Sequence, residues 1–499
     1  MANPVKYLQV NRAKIYKDPT LMEEMTELLW GDRVEVLSLD ERQNQIKVKA
    51  RWVKEGYIHA KTGGENVLGD KPLLELYFID VGQGDGVLVV TPDREHILID
   101  GGYPRDSQPH GKSAADFVDW KYIVDYGERK IVLDAMISSH CDYDHYGGLW
   151  DLLSLKQKHE LEADEIEIKR FYHAGVSWWK STDEERFLGR TEDGYLVDLL
   201  EGKASVDKGL SSGSDLRLQG KWAEFIKCIA DSGTTIDRLA YNPENGFDYL
   251  PGFEDEKPVK IKVLGPIERT INGKAALKEL GKPSQNTNGN SILLRLDYGR
   301  AKILLTGDLN KNSQQYILEA FKGNRQELAA DVVKACHHGS DDCSFEFLES
   351  VQAAVTIISS GDDESHAHPR PNIVAASGIT GFKTIRDDEM ITPLVYNTEI
   401  ARSLRMGRPF KITHDDFSSD LGEVDIEMKD MQKARLSYKV TPSGALSSKS
   451  KTKPLNKLRV IDGIVYGLVN IRTDGDKILC ATLNESKQKW DIKTFSSRF

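Results

Sequence analysis

Ser138 to Gly148 reads S-S-H-C-D-Y-D-H-Y-G-G, and its His140, Asp142, Asp144 and His145 set four metal-capable side chains within six positions. A helix cap needs one carboxylate or hydroxyl, so two imidazoles and two carboxylates in so short a stretch point instead to a cation site. The preceding I-V-L-D-A-M-I (Ile131 to Ile137) reads as one buried strand, and L-W-D-L-L-S-L after Gly147-Gly148 has helical spacing. The glycines are expected to release the backbone between the two, leaving the cluster on a loop at a strand's C-terminal end.

Upstream, L-L-E-L-Y-F-I-D-V-G-Q-G-D-G-V-L-V-V-T from Leu73 and H-I-L-I-D-G-G from His96 are apolar strands that run into aspartate and glycine at Asp80 and Asp100. Turns of that kind are ordinarily structural, and they are read so here. Downstream, S-I-L-L-R-L-D-Y-G-R-A-K-I-L-L-T-G-D from Ser291 predicts a hairpin about D-Y-G-R whose second strand delivers Asp308. D-V-V-K-A-C leads into His337-His338-Gly339-Ser340, and A-A-V-T-I-I-S-S-G is followed by H-A-H-P-R-P with His366 and His368. Repetition of strand ends with metal-capable groups places all of these along one sheet edge.

Imidazole and carboxylate donors without thiolate suit Zn²⁺ or Mn²⁺, and there are too many for one ion. Two divalent ions about 3.5–4 Å apart need a bridging carboxylate, for which Asp308 is the candidate; together they activate a water and stabilise the oxygens of a phosphoryl or acyl transition state. Asp144, Asp308, His337 and His338 are the candidate catalytic residues. Within the H-H-G-S pair one histidine is a ligand and the other a proton donor, and the sequence leaves the order open.

With 499 residues the chain has room for two or three domains. Its 67 basic against 78 acidic residues, a net charge of −11, exclude a protein that coats nucleic acid over its whole surface but leave a local groove open. Cys141, Cys228, Cys336, Cys343 and Cys480 lack C-x-x-C spacing and indicate neither a disulfide framework nor a thiolate zinc site. No apolar run reaches the ~18 residues of a membrane span, and no basic region leads into one at the start. A cytoplasmic protein with no membrane partner is expected.

Short alternating strands between turns predict a small β-barrel over 1–68, with Lys61 to Lys71 as a linker. Residues 69–499 are then one α/β hydrolase domain carrying insertions at about 155–285 and 400–455, the first of helices and loops, the second with a Lys- and Ser-rich mobile loop. The patch F-Y-H-A-G-V-S-W-W, Phe171 to Trp179, offers aromatic faces for stacking on bases, although packing onto the domain accounts for it at least as well. His159 and His173 are read as ordinary histidines. A tail hairpin about Asp474-Gly475 is expected to return to the core.

Taken together, D-V-G-Q-G-D (Asp80 to Asp85), L-I-D-G-G (Leu98 to Gly102), S-H-C-D-Y-D-H-Y-G-G, T-G-D at Asp308, H-H-G-S and H-P-R-P resemble, in the same order, the metallo-β-lactamase superfamily. The nearest likeness is to its ComEC-like branch, the hydrolase domain of competence DNA-uptake proteins. The resemblance implies an αββα sandwich with two metals at one edge of its two sheets. It also implies one ion held by His140, Asp142 and an H-H-G-S histidine and the other by Asp144, His145 and His368, with Asp308 bridging. Asp142 stands where the superfamily commonly has histidine, a harder ligand that favours Mn²⁺ more than three imidazoles would. With no membrane span read in this sequence, the hydrolase chemistry is expected to carry over and the transport role is not.

The N-terminal pattern W-G-D-R-V-E-V-L with G-Y-I-H-A resembles bacterial SH3-like domains, which implies a protein partner. The expected activity is hydrolysis of phosphodiesters in DNA or RNA by a metal-activated hydroxide. The alternative is a small-molecule phosphodiesterase of choline-phosphate or cyclic-nucleotide type, which the net acidity favours, and a metal-stabilised binding scaffold without turnover is a third reading.

Overall fold

The computed structural model describes the chain except for residues 1–2, 109–110, 112, 247, 362–367, 399–404, 408–410, 416–422, 428–432, 441–448, 456–459, 463–467 and 485–488. His366 therefore lies outside the described residues. In strand Leu74–Ile79 the side chains alternate: Leu74, Leu76 and Phe78 enter one apolar cluster, while Tyr77 and Ile79 enter another on the opposite face. The strand belongs to a nine-stranded sheet ordered Thr235–Arg238, Arg170–His173, Ala135–Ser138, His96–Ile99, Val87–Val90, Leu74–Ile79, Leu468–Thr473, Lys477–Asn484, Lys489–Ser496. The tail hairpin thus returns to the core by pairing antiparallel with Leu74–Ile79.

A second sheet of seven strands runs Asp248–Tyr249, Val259–Gly265, Leu293–Tyr298, Ala301–Leu305, Val332–Lys334, Val355–Ile358, Leu394–Asn397. Its Val259, Ile261, Val263, Leu294, Leu296 and Ile303 share the inner cluster with Leu74, Leu76 and Phe78, so the two sheets pack face to face. Helices Ala114–Trp120, Tyr143–Asp151 and Gly220–Asp231 cover the outer face of the first sheet, and Lys311–Ala320 and Phe345–Val351 that of the second. Helix, sheet, sheet, helix is the αββα sandwich that the resemblance implies.

Four local expectations change. Ile131 to Ile137 is two strands, Lys130–Leu133 and Ala135–Ser138, divided at Asp134, whose carboxylate accepts from the His96 backbone N–H at 2.8 Å. The strand ends expected along one sheet edge are split between two sheets: Ala135–Ser138 lies in the first, and Ala301–Leu305, Val332–Lys334 and Val355–Ile358 in the second. Much of 155–285 is sandwich rather than insertion, because Arg170–His173 and Thr235–Arg238 extend the first sheet and Val259–Gly265 the second. Within 400–455 the Lys- and Ser-rich stretch forms strand Lys449–Pro454 against Arg435–Val440, with Ser437 and Thr452 hydroxyls 3.0 Å apart across the pair.

The N-terminal strands, from Val5–Leu8 to Val53–His59 and including Leu68–Gly69 from the expected linker, form a seven-stranded sheet with its own core of Leu8, Ile15, Leu28, Val34, Val48 and Ile58. Leu29, Trp30 and Leu73 pack against Leu479, Ala481 and Trp490 of the sandwich. Beside this apolar contact the buried Arg472 reaches back to Asp32 at 2.7 Å and to the Trp30 carbonyl at 2.6 Å. Arg51 holds the other Asp32 oxygen at 2.5 Å.

Candidate metal centre

Asp142 is the N-cap residue of helix Tyr143–Asp151, yet its side chain makes no capping bond; its backbone carbonyl takes the His145 N–H at 3.0 Å, and its Oδ2 accepts from Thr287 Oγ1 at 2.9 Å. Gly147 and Gly148, expected to precede the helix, lie inside it. A Cβ at Gly148 would stand 1.9 Å from the Gly101 carbonyl oxygen, so glycine is what lets the helix press against the Leu98 to Gly102 turn. Gly84, at φ +112°, meets the Asp144 carbonyl in the same way. The two aspartate-glycine turns read as structural are therefore packed against the metal-capable loop.

Asp308 Oδ2 is the meeting point. His338 Nε2 lies 3.0 Å from it, His145 Nε2 3.3 Å and His337 Nε2 3.9 Å. On one side His140 Nε2 is 3.6 Å from Asp142 Oδ2, and Asn288, oriented by its hydrogen bonds, donates to Asp142 and accepts from His337. On the other side Asp144 Oδ2 is 3.7 Å from His338 Nε2. His140 with His145 and Asp308, and Asp144 with His145 and His338, each bring three ligand atoms within 4.8 Å of one another. His368 lines the same cavity of about 770 Å³, its ring centroid 5.7 Å from that of His337 and 6.3 Å from that of His338. All eight sequence-derived candidates thus reach one site. His159 and His173 stay outside it: His159 pairs with Glu160 on the surface, and buried His173 accepts from the Gly175 N–H.

The supporting shell is where the sequence reading fell short. His145 Nδ1 is 2.9 Å from Asp100 Oδ2, and His338 Nδ1 is bonded to the Ser359 carbonyl at 3.2 Å with Asp85 Oδ1 equally near, so each ring is fixed at Nδ1 and presents Nε2 to Asp308. That is the arrangement that orients metal-binding imidazoles. His145 Nε2, His338 Nε2 and Asp308 Oδ1 are buried without a hydrogen-bond partner, an expensive condition that a cation would relieve. Lys334 is buried as well, bonded to Asp85, 3.5 Å from Asp308 Oδ1 and donating to the Gly307 carbonyl at 2.9 Å. His337 and His338 both occupy the left-handed region, at φ 46° and 54°, where non-glycine backbone is strained; such strain collects at functional sites.

Burial works against every charge in this cluster. Asp308 and Asp100 overcome it at His145 and hold that ring protonated well above the ordinary imidazole range; Asp308 and Asp85 hold His338 up to about 10. Asp308 is pulled well below the usual carboxylate range by His338, His145 and Lys334 despite burial, and Asp85 is lowered by Lys334 and His338. At His337 burial wins, and its pKa falls. Protons and a cation compete for the same imidazole lone pairs.

A model of the metallo-beta-lactamase superfamily matches residues 79–341, from the end of the first sandwich strand to just beyond H-H-G-S. The chain belongs to this superfamily. Its members' hydrolase chemistry works with divalent cations, and the anchored histidines and their orphaned nitrogens fit such ions. Among curated superfamily relatives, ComE operon protein 3 of Bacillus subtilis (strain 168) is 25% identical over 324 residues, which cover 63% of this chain and 32% of that protein. Competence protein ComA of Neisseria gonorrhoeae is 31% identical over 115 residues, 22% of this chain and 16% of that protein. The chain thus spans about a third or less of the relatives it matches. Among solved structures, a protein of unknown function from Enterococcus faecalis V583 overlaps with a TM-score of 0.23 at 11% identity over 56% of each chain, a likeness too slight to bear on function.

Proposed function

We propose that this superfamily member is a phosphodiesterase that cleaves DNA or RNA strands. The observation that carries the reading is the pair His145 and His338, held through Nδ1 by the Asp100 carboxylate and by the Ser359 carbonyl beside Asp85 respectively, each presenting an orphaned Nε2 beside one oxygen of Asp308. Imidazole and carboxylate donors suit Zn²⁺ or Mn²⁺. His140 and Asp142 would hold one ion and Asp144, His145 and His338 the other, with Asp308 available to both. Two bound ions supply an activated water and a clamp for the attacking and leaving oxygens of an in-line displacement.

The chain's own groups do the positioning. Asp100 fixes the His145 ring, the Ser359 carbonyl beside Asp85 fixes that of His338, and Thr287 and Asn288 hold the Asp142 carboxylate. His337, less buried than His338 and lining the cavity with His368, is proposed to donate a hydrogen bond to the leaving oxygen as a neutral imidazole, since burial lowers its pKa. Resemblance to the hydrolase domain of DNA-uptake proteins, and a relative named for competence, support a polymer substrate. The N-terminal sheet, through its SH3-like resemblance, is proposed to dock a protein partner.

The net charge of −11 favours a second reading, a small-molecule phosphodiesterase, since nucleic-acid enzymes ordinarily offer a basic track. Incubation with Mn²⁺ or Zn²⁺ and single- or double-stranded DNA, RNA or bis-p-nitrophenyl phosphate separates the two. Cleavage of a strand is expected; turnover of the small ester with no attack on any polymer would hand the site to the second reading.

A further inference from the structure

Next to the main cavity lies a smaller one of about 190 Å³, and Asp142 lines both. At ~30 Å³ per water it holds roughly six water volumes, enough to take a phosphate group. Its walls include Tyr143, Trp178 and the first turn of helix Gly220–Asp231. Trp178 is the member of the Phe171 to Trp179 patch that stays half-buried here, while Phe171, Tyr172 and Trp179 are core residues.

Two cations complete the wall, and aromatic rings hold both. The Arg186 guanidinium sits 4.1 Å from the Trp178 ring centroid; Lys221 Nζ lies 4.3 Å from that of Tyr143 and donates to its hydroxyl at 2.9 Å. Both are exposed, and among the described residues neither is ion-paired with a carboxylate. An aromatic face holds a cation in place without neutralising it, so the charge and the N–H donors remain available to an anion. The helix beginning at Gly220 has no side-chain cap, which adds backbone donors of the same sign at the same wall. The Asp142 carboxylate also lines this cavity, with its Oδ2 bonded by Thr287 and 3.6 Å from His140 Nε2, and the two cations outnumber it.

We propose that this cavity is a phosphate subsite for the strand, binding the phosphate next to the scissile one between Arg186 and Lys221. It rests on the nucleic-acid reading of the main site and deepens it. A strand offers a neighbouring phosphodiester at every nucleotide, and choline-phosphate or a cyclic nucleotide offers none.

The test titrates the full chain, in EDTA so that nothing is cleaved, against a fluorescein-labelled single-stranded oligonucleotide at several salt concentrations. The Arg186→Gln/Lys221→Gln double variant should weaken binding several-fold or more and reduce the slope of log affinity against log salt by ~0.7, the value for one single-strand phosphate contact, and each single change should give part of that reduction. Arg186→Lys should keep the slope. With metal restored, the double variant should lose tenfold or more in the ratio of strand to bis-p-nitrophenyl phosphate kcat/KM. If wild type cleaves strands and the double variant keeps its slope and its ratio, the subsite is wrong and the nuclease reading stands. Weaker binding at an unchanged slope would make the two residues packing groups and also overturn it. If wild type hydrolyses the small ester and neither binds nor cleaves a strand, the nuclease reading fails and takes the subsite with it.

Discussion

Two buried clusters of charge in this molecule differ in what they leave unsatisfied. At the seam between the N-terminal sheet and the sandwich, Arg472, Arg51 and Lys121 face Asp32, Glu75 and Asp125, so cation answers carboxylate. The orphaned polar atoms there are donors, Arg51 Nε and Asn470 Nδ2. At the metal-capable cluster the orphans are His145 Nε2, His338 Nε2 and Asp308 Oδ1, atoms that carry lone pairs for a cation once the imidazoles are deprotonated. Burial and charge are common to both; the kind of atom left over separates a structural network from a candidate site.

The sharpest way to break this contrast is to remove the hub of the site. An Asp308→Ala/His145→Ala variant should lose its metal and fall to background turnover, a loss beyond the ~100-fold ceiling of outer-shell changes. Metal analysis and small-ester assays check it, and a variant carrying as much metal as wild type would sink the assignment. At the seam the loss should be of stability instead. Arg472→Met leaves Asp32 buried with one cation partner fewer and should cost ~3–5 kcal/mol in denaturant unfolding while metal content stays the same.

Acid gives the seam its own signature. Burial would raise Asp32, but Arg472 and Arg51 outweigh it and hold the carboxyl below its usual range. A carboxyl lowered on folding stabilises fully above its unfolded value of about 3.9 and loses that contribution as pH falls toward the folded value. The gap in melting temperature between wild type and Arg472→Met should therefore be constant at neutral pH and shrink below about pH 4. A gap that persists unchanged into stronger acid would mean that Asp32 is not its source.

The smallest expected effect lies in the shell around the site. Asp100→Asn keeps a hydrogen-bond acceptor for His145 but removes the charge, and should cost ~10–100-fold in metal affinity or turnover with little change in melting. An effect on melting as large as that of Arg472→Met would place Asp100 with the structural network instead.

Sequence alone determined what local spacing can express. Two histidines and two aspartates within six positions, and strands that end in Asp308 or His337-His338, were legible because ligand chemistry and β periodicity both act over a few residues. The apolar run at Leu74–Ile79 and the tail hairpin were legible for the same reason. Short strands such as Arg170–His173 and Thr235–Arg238, each of four residues, gave too little alternation to be told from loops, so sandwich was read as insertion. Asp85, Asp100, Lys334 and Thr287 were not legible as parts of the site. Each lies on a strand, turn or helix where its type is ordinary, and each acquires its role only from what a neighbouring strand or the facing sheet brings near it. Two sheets packed face to face decide that Lys334 meets Asp85, and strand order within each sheet decides that Lys334 meets Asp308 and that Asp100 meets His145. A charge's partner is set by distance in space, and no local pattern carries that distance.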